Sequence, residues 1–324
     1  MPHDFPIPPA APVLAGIDWG TSNRRAYLID AAGHCLGAHA DDRGVLAARP
    51  DFAGSLAALL AHLQVPDGVP VVASGMVGSA QGWREVPYLD VEVPLEALPA
   101  HLAPIAAHGL RHPCFIVPGY VQRDGDGDDD GDCGVDVMRG EETQLLGAVA
   151  LGRREGWVVL PGTHSKWVLL RDGVVQHIAT FMTGELFALL GREGTLAAAM
   201  AQSGDDQADD SAAEEAGFIA GLDEARARAP LSHALFGVRA RVVAGALPRA
   251  QARGVVSGLL VGAEFAALQA LPGGPVDVAA AIGSAALVPR YAHAAQRFGI
   301  RLDALDADRV YCAALARLRE GMPS

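Results

Sequence analysis

Positive charge is what this chain is shortest of. It has 25 Lys+Arg against 38 Asp+Glu, a formal net charge of −13. A surface so biased repels a phosphate backbone instead of collecting its counterions, which excludes nucleic acid as an expected partner. Lysine is almost missing: Lys166 is the single lysine, and every other basic residue is arginine. Cysteine is scarce too. Cys35, Cys114, Cys133 and Cys312 lie far apart and form no C-x-x-C pair, so neither a zinc site nor a disulfide framework is expected, and the thiols should be reduced. No apolar run reaches the length needed to cross about 30 Å of hydrocarbon. The most apolar late stretch, residues 255–270, carries Ser257 and Glu264 and is followed by Pro272. The first twelve residues have no basic start and no apolar centre, so they read as a frayed leader and the expected location is cytoplasmic. The ready-made phosphate loops are also absent. No G-x-x-x-x-G-K-[ST] occurs and no G-x-G-x-x-G opens a helix after a strand, which excludes a P-loop or a Rossmann dinucleotide site.

What is present is an ordinary globular balance, 50% hydrophobic and 19% charged over 324 residues. At roughly 150 residues per domain that length gives about two domains. Residues 13–30, VLAGIDWGTSNRRAYLID, are two strand-like runs around a Gly-Thr-Ser-Asn turn, a hairpin pattern. Residues 157–175, WVVLPGTHSKWVLLRDGVV, repeat the plan. Gly20-Thr21-Ser22-Asn23-Arg24 aligns with Gly162-Thr163-His164-Ser165-Lys166 as G-T-x-x-basic, which implies an internally duplicated α/β protein. Between and after the hairpins, helices are expected over residues 52–63, 141–151, 214–228, 254–271 and 306–319. Short strands are expected over 69–73 and 114–117. The acidic stretches 124–136 and 204–210 read as solvated loops. The first of them begins like a calcium loop but has Val137 where the bidentate glutamate must stand, which excludes that reading. A domain boundary is expected near residues 152–156.

Two glycine-threonine turns in parallel contexts offer amides and hydroxyls that could hold a polyphosphate between them. The second carries the lone lysine, whose compact ammonium suits phosphate oxygens.

IDWGTSNRRAYL resembles the first phosphate motif of the acetate/sugar kinase–Hsp70–actin superfamily, and LPGTHSKWVLL its second. SGMVGSAQGW at residues 74–83, MRGEETQLLGA at 138–148, PGTHSKWV at 161–168 and MTGELF at 182–187 narrow the resemblance to the 2-dehydro-3-deoxygalactonokinase family. The resemblance implies two duplicated ribonuclease-H-like (actin-like ATPase) domains, residues 13–153 and 154–324, with an interdomain cleft for ATP and Mg2+. It implies phosphorylation of 2-dehydro-3-deoxy-D-galactonate at its 6-hydroxyl, a step of D-galactonate catabolism. Asp18 matches the aspartate that holds magnesium through water. Gly20, Thr21, Ser22, Asn23 and Arg24, then Gly162, Thr163, His164, Ser165 and Lys166, match the phosphate turns. Gly283 and Ser284 match the adenosine-contacting turn.

Transfer to an alcohol needs a carboxylate to take the hydroxyl proton. In the sugar-kinase branch it is an aspartate in a G-D-Q motif opening a helix; here Gly140-Glu141-Glu142-Thr143-Gln144 holds that place, so Glu141 is the expected base and Glu142 the fallback. The acceptor's carboxylate requires a cationic or N–H-lined pocket; Arg139 is the leading candidate and Arg84, Arg24 and Arg25 are alternatives. Gly75, Met76 and Trp83 match a substrate-side loop, the aromatic available to cover a sugar face. Thr183 and Glu185 are expected to complete the acceptor pocket. Two other readings stay open on the residues alone: a kinase for another hexonate or small sugar, and a non-catalytic ATP-regulated switch. Oligomeric state is open too, a homodimer included.

Overall fold

The computed structural model describes residues 11–106, 109–123, 134–201, 207–227, 230–271 and 276–322. The leader to residue 10, most of the first acidic stretch with Cys133, and residues 204–206 of the second lie outside them. The chain forms two compact units. The first comprises Met1–Glu155, Leu170–Ile178 and Asp306–Ser324, and the second Gly156–Leu169 and Ala179–Leu305.

In the first unit six strands lie in the order Cys35–Asp41, Arg24–Ile29, Leu14–Trp19, Val71–Gly75, Cys114–Ile116, Ala103–Pro104. Apart from Asp18, Leu14–Trp19 is apolar and buried along its length, as a central strand should be. It pairs antiparallel with Arg24–Ile29 and parallel with Val71–Gly75, setting Asp18 opposite Arg25 and beside Ser74. The edge strand Cys35–Asp41 is exposed along most of its length. It therefore lacks the apolar alternation that would announce a strand in the sequence. The helix Phe52–His62 starts where Asp51 accepts from Gly54 N at 2.7 Å, an N-cap that satisfies an otherwise orphaned amide. It lays Phe52, Leu56, Leu59 and Leu60 into a core with Ile17, Trp19 and Ile116. A small second sheet joins Leu89–Asp90, Tyr120–Arg123 and Val135–Met138. Asp136 thus sits in a strand, paired with Gln122, and not in the loop expected through residue 136.

A five-stranded sheet repeats the strand order: Val174–Phe181, Ser165–Arg171, Gly156–Leu160, Val278–Ile282, Arg301–Leu305, the last three parallel. The helix expected from residue 214 begins earlier, as Gln207–Arg226, so residues 207–210 are helical and not loop. The helices Thr183–Arg192, Gly194–Met200 and Leu231–Val243 were not anticipated.

A single cut near 152–156 does not reproduce the units, because the terminal helix Ala307–Glu320 folds with the first. Its stripe of Val310, Tyr311, Ala314, Leu315 and Leu318 is buried. A β-carbon at Gly147, in the helix Glu141–Ala150, would overlap the Val310 carbonyl, and one at Gly16 would overlap Leu315. Apolar burial at those two contacts outweighs sequence order. Among the described residues no helix is long and apolar enough to cross a membrane.

Helices Gln207–Arg226 and Arg249–Ala267 touch backbone to backbone. Glycines recur every fourth residue, Gly217 and Gly221 on one, Gly254, Gly258 and Gly262 on the other. A β-carbon at Gly258 would overlap the Phe218 carbonyl oxygen. Gly258→Ala is expected to lower the unfolding free energy by about 1–3 kcal/mol, the usual cost of overpacking, measured by urea denaturation. Wild-type stability in the variant would show that the helices part at little cost.

Candidate active site

In the first unit three segments meet around Asp18. The strand Val71–Gly75 ends at Gly75, whose φ is +87°, and Gly140 has φ +109°; both values favour glycine. A β-carbon at Gly140 would lie 3.1 Å from Gly75 Cα, and one at Gly75 would lie 2.9 Å from Trp19 O and 3.6 Å from Asp18 Oδ1. The Asp18 carboxyl is held above the usual carboxylate range by burial, which Arg25 opposes. Ser74 Oγ and Tyr311 OH, 2.9 Å apart, form the floor beside it.

Gly140 leads into the helix Glu141–Ala150, whose first turn carries both glutamates. Glu141 is half-buried and its Oε2 accepts from Arg139 N at 3.0 Å. Glu142 is fully buried; Oε2 accepts from Gly140 N at 2.6 Å and Oε1 from Thr143 Oγ1 at 3.0 Å. Burial, reinforced by the neighbouring Glu141, pushes the Glu142 carboxyl up to about 8. The Arg139 guanidinium lies 4.2 Å over the Tyr88 ring and Nη2 donates to Val86 O at 2.7 Å. Its Nε and Nη1 are buried without a hydrogen-bond partner among the described residues, a costly state for charged donors.

The other expected acceptor-side residues are placed differently. Arg24 is buried, donating to Asp41 from Nε and Nη2 and to Ser55 from Nη1. Arg84 donates to Pro104 O. Arg25 is exposed, opposite Asp18. Met76 and Trp83 pack on the hydrophobic core, and Trp83 stacks on Phe52 with centroids 6.2 Å apart, so one indole face is committed to the protein. In the first glycine-threonine turn, Gly20 N donates to Asn23 O at 3.0 Å, while Thr21, Ser22 and Asn23 are exposed.

In the second unit the turn at residues 162–165 and the start of the helix Thr183–Arg192 are in direct contact. A β-carbon at Gly184 would overlap Gly162 O. Glu185 N donates to Thr163 O at 2.9 Å, and His164 Nε2 lies 2.5 Å from Glu185 Oε2. Thr183 and Glu185 therefore stand with the second glycine-threonine turn. Gly283 packs near Pro161, and Ser284 O accepts from Leu287 N and Val288 N, starting the helix Val288–Arg297. Gly162, Thr183, Gly184, Ala286 and Leu287 line a cavity of about 300 Å³, ample for a nucleoside-sized ligand. Its far wall carries residues the sequence did not flag. Arg290 donates to Glu214 at 2.6 Å and Ser257 at 3.0 Å, and the Arg253 guanidinium lies 4.6 Å over the Phe187 ring. Lys166 is not at this cavity. Strand alternation turns it away from Ser165, and its Nζ donates to Thr180 Oγ1 at 2.8 Å.

Beneath the turn lies Glu264, with no exposed surface. Its Oε2 accepts from Ser165 Oγ at 2.9 Å and Trp167 Nε1 at 2.8 Å; its Oε1 accepts from Tyr291 OH at 2.6 Å and from Thr183 Oγ1. The available signal was its isolation: with Ser257 it interrupts the apolar run 255–270, and buried carboxylates occur where something pairs with them.

Two sheets of one strand order, each with a glycine-threonine turn after its first strand, define a protein of the ribonuclease-H-like, actin-like ATPase fold. A family model of 2-keto-3-deoxy-galactonokinase matches residues 18–318, and the chain belongs to that family. It is 39% identical over 311 residues to a Rhizobium meliloti (strain 1021) protein assigned as a 2-dehydro-3-deoxygalactonokinase, covering 93% of this chain and 95% of the relative. It is 34% identical over 302 residues to the 2-dehydro-3-deoxygalactonokinase of Escherichia coli (strain K12), covering 92% and 94%. A crystal structure from Sinorhizobium meliloti, assigned to the same activity, superposes with a TM-score of 0.84 at 35% identity over 95% of this chain and 96% of that one. The activator of 2-hydroxyisocaproyl-CoA dehydratase from Clostridium difficile, at a TM-score of 0.50 and 11% identity over 95% and 94%, shares the fold.

Glu142 generates a pH dependence. Its unfolded carboxyl gives up its proton near the ordinary value, whereas the folded one keeps it to about 8. Folding takes up a proton between those limits, so this group's contribution to stability falls as pH rises through the window. Glu142→Gln removes the titration. Unfolding curves at a series of pH values from about 5 to about 8 should show the variant gaining on the wild type with rising pH. A constant difference across that range would show the folded carboxyl to be ionised.

Proposed function

We propose that this protein transfers the γ-phosphate of ATP to the 6-hydroxyl of 2-dehydro-3-deoxy-D-galactonate, a step of D-galactonate catabolism. Beyond family membership, one observation carries the reading. Glycines at 75 and 140 bring two turns together beside Asp18 and set a half-buried glutamate, Glu141, next to an arginine with unspent buried donors. Both partners are small molecules, and the net charge of −13 argues against nucleic acid. The expected setting is the cytosol, where ATP is available.

Glu141 takes the proton of the acceptor hydroxyl as the oxygen attacks phosphorus. Glu142, which keeps its own proton to about 8, fixes the Gly140 amide and so the turn before Glu141. Arg139 supplies the cation for the acceptor's carboxylate, which would satisfy Nε and Nη1. Gly75 leaves room for the acceptor, with Met76 and Trp83 stiffening the loop from the core side. Asp18 fits a magnesium ion: it is a carboxylate out of bulk water that receives no hydrogen bond from any described residue, and a cation's water shell would supply the missing donors. The ion would neutralise phosphate charge.

On the nucleotide side, Thr21, Ser22 and Asn23 offer exposed polar groups to phosphate, in a turn closed by Gly20. Gly162, Thr163, His164 and Ser165 form the second phosphate turn, buttressed by Thr183 and Glu185. The adjoining cavity takes the nucleoside against Gly283 and Ser284. Arg24 and Lys166, both engaged elsewhere, are left out of this set.

A coupled assay of ADP release across sugar acids should show turnover that depends on the acceptor; acceptor-independent hydrolysis would favour the switch reading. Glu141→Gln should lower kcat by about 10²–10⁴-fold, the usual worth of a general base, with ATP affinity preserved. Near-normal turnover would dismiss Glu141. Arg139→Gln should raise the KM for the sugar acid by about tenfold or more with little change in that for ATP. Equal changes in both constants would show that Arg139 does not discriminate the acceptor.

A further inference from the structure

Glu264 has no place in the chemistry above, yet it is the most heavily hydrogen-bonded side chain beside the cavity. Four donors converge on its two oxygens from three different elements. Ser165 and Trp167 belong to the strand that leaves the second glycine-threonine turn, Thr183 opens the helix packed on that turn, and Tyr291 stands in the cavity wall. A carboxylate has about four lone-pair positions, and here each meets one donor. One of the four, the Trp167 indole N–H, can only donate. Ser165 Oγ and Tyr291 OH also lie 2.9 Å from each other, so the donors are tied to one another as well as to Glu264.

We propose that Glu264 is a positioning residue for the nucleotide: an acceptor buried under the second phosphate turn that fixes that turn, the start of the Thr183–Arg192 helix and the Tyr291 wall in one arrangement. It touches no substrate atom and acts through Ser165 and Thr183. The arrangement needs an acceptor on both oxygens. A glutamine has the same shape but offers an N–H₂ on one side. Its carbonyl must face Trp167, because the indole cannot accept. The amide hydrogens then face Thr183 and Tyr291, whose hydroxyls have to turn around. The cage survives in outline while its donors are reversed at the cavity. Burial raises the Glu264 carboxyl above its ordinary value, and the four donors oppose that rise.

The proposal rests on the kinase reading, and its test separates the two. Glu264→Gln is compared with the wild type for near-UV circular dichroism, binding of a non-hydrolysable ATP analogue by calorimetry, and KM for ATP and for the sugar acid. The expected result is a folded variant with the KM for ATP and the analogue Kd raised by about tenfold or more and the KM for the sugar acid within about twofold. A residue that only stabilised the fold would lower the unfolding midpoint and leave both KM values alone below it. An unchanged ATP dependence in the folded variant overturns the proposal while leaving the kinase reading intact. A wild type that binds no nucleotide overturns both. Should Glu264→Gln not fold, Trp167→Phe removes a single donor from the same oxygen and leaves the carboxylate in place. A rise in the KM for ATP without a rise in that for the sugar acid supports the cage, and equal constants in that folded variant overturn it.

Discussion

A carboxylate taken out of water has to be satisfied inside the protein, and in this chain two glutamates with no exposed surface do much to decide what surrounds them. Each unit has one. Glu142 answers the demand with a backbone amide and a hydroxyl, too little to keep it ionised at neutral pH, so it holds its proton to about 8. Glu264 answers it with four side-chain donors. Leaving either group unpaired would cost several times what an ordinary hydrogen bond contributes. The Gly140 turn and the Ser165 strand are therefore held where these carboxyls are.

The same economy of space explains the glycines. A side chain at Gly75 or Gly140 would hold the two turns apart and pull the start of the Glu141–Ala150 helix away from Asp18. In the second unit Gly184 has the corresponding task, letting the Thr183 helix start lie on the Gly162 carbonyl. Close backbone approach is also what the pairs Gly217 and Gly221 against Gly254 and Gly258 achieve, where the packing sets the helix that carries Glu264 and Ser257. A change at those helix contacts would move the cavity wall as well as the core.

Much of the fold was legible because it rests on local signals. Apolar runs broken by Gly-Thr turns marked both hairpins, and the order of motifs marked the duplication. The Gly140-Glu141-Glu142 turn was legible as a helix start carrying acid. What could not be read depends on partners far away in the chain. The terminal helix packs on the first unit where Gly16 and Gly147 make room for Leu315 and Val310. Thr183 and Glu185, assigned by motif order to the acceptor, lie against residues 162–165 because Gly184 has no side chain. Arg24 looked like a phosphate ligand by its place in the turn, but Asp41 and Ser55 are near enough to consume its donors. The residues of the cavity's far wall have no motif; Glu214, Arg253 and Arg290 are ordinary charges until the helices that carry them come together.

In the proposed chemistry the two adjacent glutamates divide the work for a physical reason. Side by side in one helical turn, two ionised carboxylates would repel each other, and complete burial makes Glu142 the one that gives way and stays neutral. A carboxylic acid still holding its proton at pH 7 is a poor acceptor for another. Glu141 is half-buried, anchored through one oxygen to the Arg139 amide, and has surface left to meet a ligand. Arg139, whose own amide is that anchor, carries unspent donors on its side chain. The pair of residues that would bind an acid and accept a proton from an alcohol are thus fixed relative to each other by three residues of backbone, and the neutral glutamate beneath sets that backbone's conformation.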